Sequence, residues 1–190
     1  MIDPGSRVRA LDLGAWVRAL RGARSYALAA LAGAALALAQ PPVSWPWVVF
    51  LALPPLLWLL DGARSPGAGF MCGWAAGIGF FGAGMFWIVE PFLVAPERHG
   101  WMAPFALIGL SGGLALFWGA AFAAARAVWP SGPARALTLA CLWTLAEFAR
   151  SHVLTGFPWA LAGYGWIETP VMQAAAVLGP HGLGFLTLVA

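Results

Sequence analysis

Long apolar blocks, separated only by short breaks of Arg, Pro and Gly, run through nearly the whole of this chain. In order they cover Tyr26 to Ala39, Trp45 to Leu60, about Ala68 to Leu93, about Trp101 to Val128 and about Ala134 to Leu154. A helix that is apolar on all sides needs either a large protein core or a membrane around it. The bilayer core offers no water to an open peptide group, so only helices or a closed barrel can cross it. The period-two alternation of barrel strands is absent and Ala, Leu and Gly dominate, so helices are expected. Composition agrees: 62% of the 190 residues are hydrophobic and 9% charged, where soluble domains carry about 25% charged residues. Mean hydropathy is +0.82.

The expected fold is therefore an all-α integral membrane helical bundle, with about five complete transmembrane helices and a truncated sixth. The first two blocks fall short of the roughly 20 residues that cross a bilayer comfortably, and Pro46, Pro54 and Pro55 interrupt the second. The sixth begins near His181 and reaches Ala190. At 1.5 Å per residue it covers about 15 Å, half of a hydrocarbon core of about 30 Å. A helix ending there would leave a carboxylate in or near hydrocarbon, so poor folding and turnover are expected of such a product.

All ten basic residues are Arg, and their placement reads as topology rather than as nucleic-acid binding. Arg7, Arg9, Arg18, Arg21 and Arg24 precede the first block, Arg64 lies between the second and third, and Arg126 and Arg135 lie between the fourth and fifth. Arg98 and Arg150 fall on the other side. With five crossings, this asymmetry places the N-terminus of a multi-pass membrane protein in the cytoplasm. Residues 1–24 form a basic amphipathic segment on the cytoplasmic surface, and 25–190 form the bundle. Ala37-Leu38-Ala39 before Gln40 also resembles a signal-peptide cleavage site. Ala is so frequent here that we read this stretch as a retained first span.

Gly69, Gly73 and Gly77 recur every fourth residue in the third block, followed by Gly79, Gly82 and Gly84. A phosphate loop would need a preceding strand and a polar exit, so close helix packing is the expected role. Cys72 and Cys141 lie inside apolar runs, and His99, His152 and His181 stand alone, without ligand spacing. No metal and no cofactor are expected. Ser111 lacks a nucleophile elbow, and no nucleophile, base and orienting group are spaced to work together.

The most informative stretch is 147–164, EFARSHVLTGFPWALAGY. A carboxylate within an apolar helix is costly, about 2.5–3.5 kcal/mol on insertion scales. Arg150 follows Glu147 by three residues and can pair with it on one helix face. The pair is either a bundle-facing ion pair or a place where the planar guanidinium receives a phosphate or lipid headgroup. After it, Thr155, Gly156, Phe157, Pro158 and Trp159 stop the helix. The aromatic rings of Phe157, Trp159, Tyr164 and Trp166 suit the headgroup level. Trp87 and Glu90, at the end of the third block, are expected at the same depth, lining a lipid-facing cleft with that turn.

WTLAEFARSHVLTGFPWALAGY, followed by Pro170, Gln173 and GPHGLGFL over 179–186, closely resembles the apolipoprotein N-acyltransferase family. So do GFMCGWAAGIGFFGAGMFWI over 69–88, the N-terminal Arg segment and the Pro-linked hairpin at 41–46. The resemblance implies an inner-membrane bundle that carries a periplasmic nitrilase-like domain. It implies transfer of an acyl chain from a phospholipid, typically phosphatidylethanolamine, to a Cys thiol. The acyl chain then passes to the α-amino group of a lipoprotein's diacylglyceryl-cysteine. In the family that Cys, a Glu base and a Lys belong to the nitrilase-like domain, and none of them maps onto this sequence. By resemblance, Glu147, Arg150 and the 155–159 turn would border the portal for acyl chains, with no catalytic residue among them. The expected partners are a phospholipid acyl donor, an apolipoprotein N-terminus and membrane lipids, and this chain alone is expected to be inactive. The alternative is a non-catalytic membrane protein that binds lipid or lipoprotein.

Overall fold

A computed structural model describes residues 12–190. Residues 1–11 of the expected basic segment, with Arg7 and Arg9, lie outside the described residues. Among the described residues the regular elements are α1 (Leu13–Ala19), α2 (Ala23–Ala37), α3 (Val48–Gly62), α4 (Pro66–Gly84), α5 (Pro96–His99), α6 (Ala103–Ala127), α7 (Ala134–Arg150) and α8 (Ala175–Val189). Tight 3₁₀ turns cover Phe86–Leu93, Gly100–Met102, Ala162–Trp166 and Pro170–Ala174. The helix starts follow local chemistry. Asp12 accepts the Ala15 N–H at the head of α1, and Ser65 accepts that of Ala68 before Pro66 opens α4.

α4 is the hub. A Cβ on Gly73 would come within 2.5 Å of the Trp118 carbonyl oxygen, and one on Gly77 within 2.7 Å of Ala115 Cβ, so these glycines let α6 lie against α4. On the neighbouring face, a Cβ on Gly79 would meet the Ala30 carbonyl oxygen at 2.0 Å, and one on Gly33 of α2 the Ala76 carbonyl oxygen at 1.9 Å. The expected small-residue packing is thus present on two sides of one helix. Large rings fill the space beside these close contacts. Trp118 stacks on Phe80 at 4.8 Å and meets Trp143 edge-on at 4.4 Å, joining α4, α6 and α7.

The outside of the bundle is as apolar as its inside. Leu31, Leu51, Phe105, Ile108, Leu145 and Val177 are all strongly exposed. Such a surface has no favourable solvent except lipid. Among the described residues, two stretches, Pro96–Ala127 and Pro170–Val189, are long and apolar enough to cross a membrane. A third is available if Pro66–Gly84 and Phe86–Leu93, bent by 49°, count as one broken span. α2 and α3 are apolar but have 15 residues each, about 22 Å of helix.

The boundaries differ from the sequence reading in four places. α3 continues through Pro54 and Pro55 rather than breaking there. α4 ends at Gly84, not Leu93, and the chain turns away through Met85. α7 stops at Arg150, not Leu154. α8 starts at Ala175, before His181, and is kinked at Gly179 (φ 69°, ψ 170°), after which Pro180 restarts the helix.

One end of the bundle gathers the Arg-bearing breaks. Asp61 accepts Trp129 Nε1 at 2.9 Å and Arg135 Nη1 at 2.6 Å, and Arg126 Nε donates to the Ala63 carbonyl oxygen at 2.5 Å. These bonds fasten α3 to α6 and α7. The opposite end collects the 38–45 turn, the Phe86–Leu93 turn and the long segment after α7.

Candidate functional site

α7 ends in a buried cation that holds the chain leaving it. Arg150 is 1% exposed. Its Nη1 donates to the carbonyl oxygens of Phe157 at 2.6 Å and Trp159 at 2.8 Å, and its Nη2 to that of Ala160 at 3.4 Å. The guanidinium carbon also lies 5.2 Å from the Phe81 ring centroid, a favourable cation–π arrangement. A planar fork with several donors can bridge successive carbonyls in this way, and an ammonium cannot reproduce its geometry.

Glu147, one turn earlier and fully buried, accepts the Ala162 N–H on both carboxylate oxygens at 3.3 Å. The ion pair allowed by the i, i+3 spacing does not form. Among the described residues the ion pairs are Arg18–Asp12 and Arg135–Asp61. The acid and the base instead grip two points of the same loop, from Phe157 to Ala162. Gln40, buried at the end of the α2 turn, donates Nε2 to the Leu161 carbonyl oxygen at 3.2 Å.

The loop needs this support because its backbone is unusual. Leu154, Gly156 and Ala160 have φ of 59°, 75° and 53°. For the two non-glycine residues that region costs about 1–2 kcal/mol each. At Gly156 a Cβ would lie 2.4 Å from the Ser151 carbonyl oxygen, so a side chain has no room there. The Phe157 N–H closes the reversal by donating to the Arg150 carbonyl oxygen at 2.9 Å.

Above the loop lies an open bowl of about 300 Å³, lined by residues that include Gln40, Met85, Trp87, Trp159, Tyr164 and Ile167. The Trp87 and Trp159 rings sit 6.1 Å apart across it. The structure thus brings together Trp87 and Trp159 of the expected cleft. Thr155 and Pro158 are exposed on the loop, and Phe157 is half-buried against the core. Glu90 is exposed on the Phe86–Leu93 turn and does not line the bowl. Glu147 and Arg150 lie beneath the loop rather than in the bowl wall. Trp166 does not stay at the surface: its Nε1 donates to Thr187 Oγ1 of α8 at 2.8 Å. Sequence reasoning passed over Gln40, Met85 and Ile167. For Gln40 the available signal was an isolated amide between an apolar run and two prolines.

Residues 32–190 match the apolipoprotein N-acyltransferase N-terminal domain. The chain belongs to this family. It is 47% identical over 167 residues to an apolipoprotein N-acyltransferase of Caulobacter vibrioides, covering 85% of this chain and 31% of that protein. It is 39% identical over 186 residues to one from Allorhizobium ampelinum, covering 93% of this chain and 35% of the relative. A Brucella suis apolipoprotein N-acyltransferase is 38% identical over 192 residues, 95% of this chain and 34% of its own length. The chain therefore spans about a third of the length of these relatives. The match contains both the helix hub at Gly69–Gly84 and the Arg150-held loop, so the family region and the candidate site coincide.

Proposed function

We propose that this chain is the membrane bundle of an apolipoprotein N-acyltransferase and that its bowl is where lipid enters from the bilayer. Five helices, α2, α3, α4, α6 and α7, cross a bacterial inner membrane, and α8 enters it as a sixth from the bowl end. The arginine end faces the cytoplasm and the bowl faces the periplasm. The reaction served is lipoprotein maturation, in which a phospholipid gives up an acyl chain that ends on the α-amine of a lipoprotein's N-terminal diacylglyceryl-cysteine. A thiol nucleophile suits such a two-step exchange, since it forms a thioester that an amine can open. In the family resemblance that thiol, its Glu base and its Lys lie in a nitrilase-like domain. In this chain Cys72 is buried in α4, Cys141 lies on α7, and Lys is absent from the sequence.

The division of labour follows from the chemistry of the residues. Trp87, Trp159 and Tyr164 offer amphipathic rings to a glycerol backbone and headgroup. Thr155, Gly156, Phe157 and Pro158 form the loop that carries Trp159. Arg150 and Glu147 act as positioning residues through that loop, and Glu90 stands at the outer edge. The observation that carries the reading is the family match over residues 32–190, which includes this loop.

The test is reconstitution of the 190-residue chain in phosphatidylethanolamine vesicles containing a photoactivatable acyl donor and a diacylglyceryl-cysteine peptide. Crosslinks concentrated at Trp87, Trp159 and Tyr164, with no acyl transfer to the peptide, are expected. Transfer by this chain alone, or crosslinks spread evenly over the outer surface, would overturn the proposal.

A further inference from the structure

The arginine end contains a second crevice, unrelated to the bowl. It has a volume of about 180 Å³ and lies where α1 gives way to α2 and α3 gives way to α4. Arg21 and Arg64 are its exposed basic members, and Ser25, Leu59, Ala63 and Cys72 are its buried ones. Among the described residues no carboxylate lines it. The nearby described acids are committed elsewhere: Asp12 faces Arg18 at 3.7 Å and Asp61 is held by Arg135 at 2.6 Å. Arg126 is turned onto the Ala63 carbonyl oxygen. Arg21 uses Nη1 on the carbonyl oxygens of Arg18 and Leu20, which leaves Nε and Nη2 free. Arg64 has neither a hydrogen bond nor an ion pair among the described residues.

We propose that this crevice binds the phosphate of an anionic glycerophospholipid, with Arg21 and Arg64 on the phosphate and Leu59 and Cys72 against the first acyl carbons. The combination selects the ligand. Two guanidiniums with no ion pair among the described residues call for an anion. A floor of thiol and leucine is wasted on a free ion and suits a molecule whose charge is joined to hydrocarbon. Basic pockets between helices at a membrane face are suited to such headgroups. Leu13 and Trp16, each 58% exposed on the α1 helix that leads into Leu20 and Arg21 of the crevice, would enter the same lipid layer. This site rests on the chain being a membrane bundle, and it does not depend on acyl transfer.

The experiment uses the full 190-residue chain in nanodiscs of phosphatidylethanolamine doped with phosphatidylglycerol, reading bound phosphatidylglycerol by native mass spectrometry. Removing both charges in R21Q/R64Q should weaken phosphatidylglycerol binding roughly thirtyfold, at about one kcal/mol per surface charge. Phosphatidylethanolamine adducts should not change. Ala68→Phe, which fills the crevice and keeps every charge, should weaken it comparably, with helicity and elution volume confirming the fold. Arg98→Gln, at the opposite end, should change nothing. Unchanged binding in R21Q/R64Q overturns the proposal. Full binding in Ala68→Phe also overturns it, because diffuse surface attraction would then suffice. Inorganic phosphate competing at millimolar concentration as well as the lipid does would assign the crevice to a free anion instead. Loss of crosslinking at the bowl leaves this site standing, so the two proposals fail separately.

Discussion

The two ends of this bundle solve the same problem, closing off helix termini and connecting chain, in opposite ways. At the arginine end the breaks are short, and one carboxylate, Asp61, draws Trp129 and Arg135 together at a partly exposed site. At the other end the connections are long, and the charges that organise them, Glu147 and Arg150, are buried and bonded to backbone. A surface ion pair can be lost cheaply because water replaces either partner. A buried cation whose partners are carbonyl oxygens cannot be lost so easily. The arginine end is therefore a fastening, while the aromatic end is a shape held under constraint, which is what a binding surface requires.

The largest effect that would break this contrast is at Arg150. Arg150→Ala leaves the Phe157, Trp159 and Ala160 carbonyls without their donor and the buried Glu147 without a nearby cation, so a loss of about 3–5 kcal/mol is expected. It should appear as lowered thermal stability and as rapid proteolysis within 151–162. Arg150→Lys should recover only part, since an ammonium cannot span the same carbonyls. If Arg150→Ala left both readouts unchanged, the loop would have to be held by something else.

Next in size is the helix hub. Gly73→Ala pushes a methyl into the Trp118 carbonyl and should cost about 1–3 kcal/mol, or displace α6. Gly113→Ala, whose new Cβ meets nothing within 4 Å, should be neutral or slightly stabilising. Equal losses from the two would contradict the assignment of close packing to one glycine stripe. A smaller effect is expected from Gln40→Leu, which leaves the Leu161 carbonyl oxygen unpaired: about 1–2 kcal/mol, with faster amide exchange confined to 160–166. Least of all should be Asp61→Asn, worth about 1 kcal/mol or less and shrinking further in high salt. Were Asp61→Asn to cost more than Arg150→Ala, the contrast between the ends would be reversed.

Much of this was legible in the residues themselves, and the failures have physical causes. The helical bundle, the Gly69–Gly77 stripe and the nearness of Trp87 to Trp159 follow from block length, four-residue spacing and the positions of the breaks, whereas Glu90, expected beside them, does not line the bowl. The Glu147–Arg150 contact was misread because i, i+3 spacing permits an ion pair without requiring one. The folded loop offered both side chains backbone partners that no helix-face argument contains. Span ends were overrun at Leu93 and Leu154 because apolar composition continues past the last helical bond. There a 3₁₀ turn and a positive-φ reversal take over. Gln40 was invisible for a related reason: its partner lies 121 residues away, at Leu161.

If the two ends face opposite sides of one bilayer, as proposed, labelling distinguishes them directly. In a background of Cys72→Ala and Cys141→Ser, single cysteines are placed by Thr155→Cys on the loop and Ser131→Cys in the break before α7. Intact cells are then treated with a membrane-impermeant maleimide. Thr155→Cys should label in cells whose inner membrane is sealed, and Ser131→Cys only after that membrane is permeabilised. Labelling of both from the same side, or of the loop from the cytoplasm alone, would contradict the account.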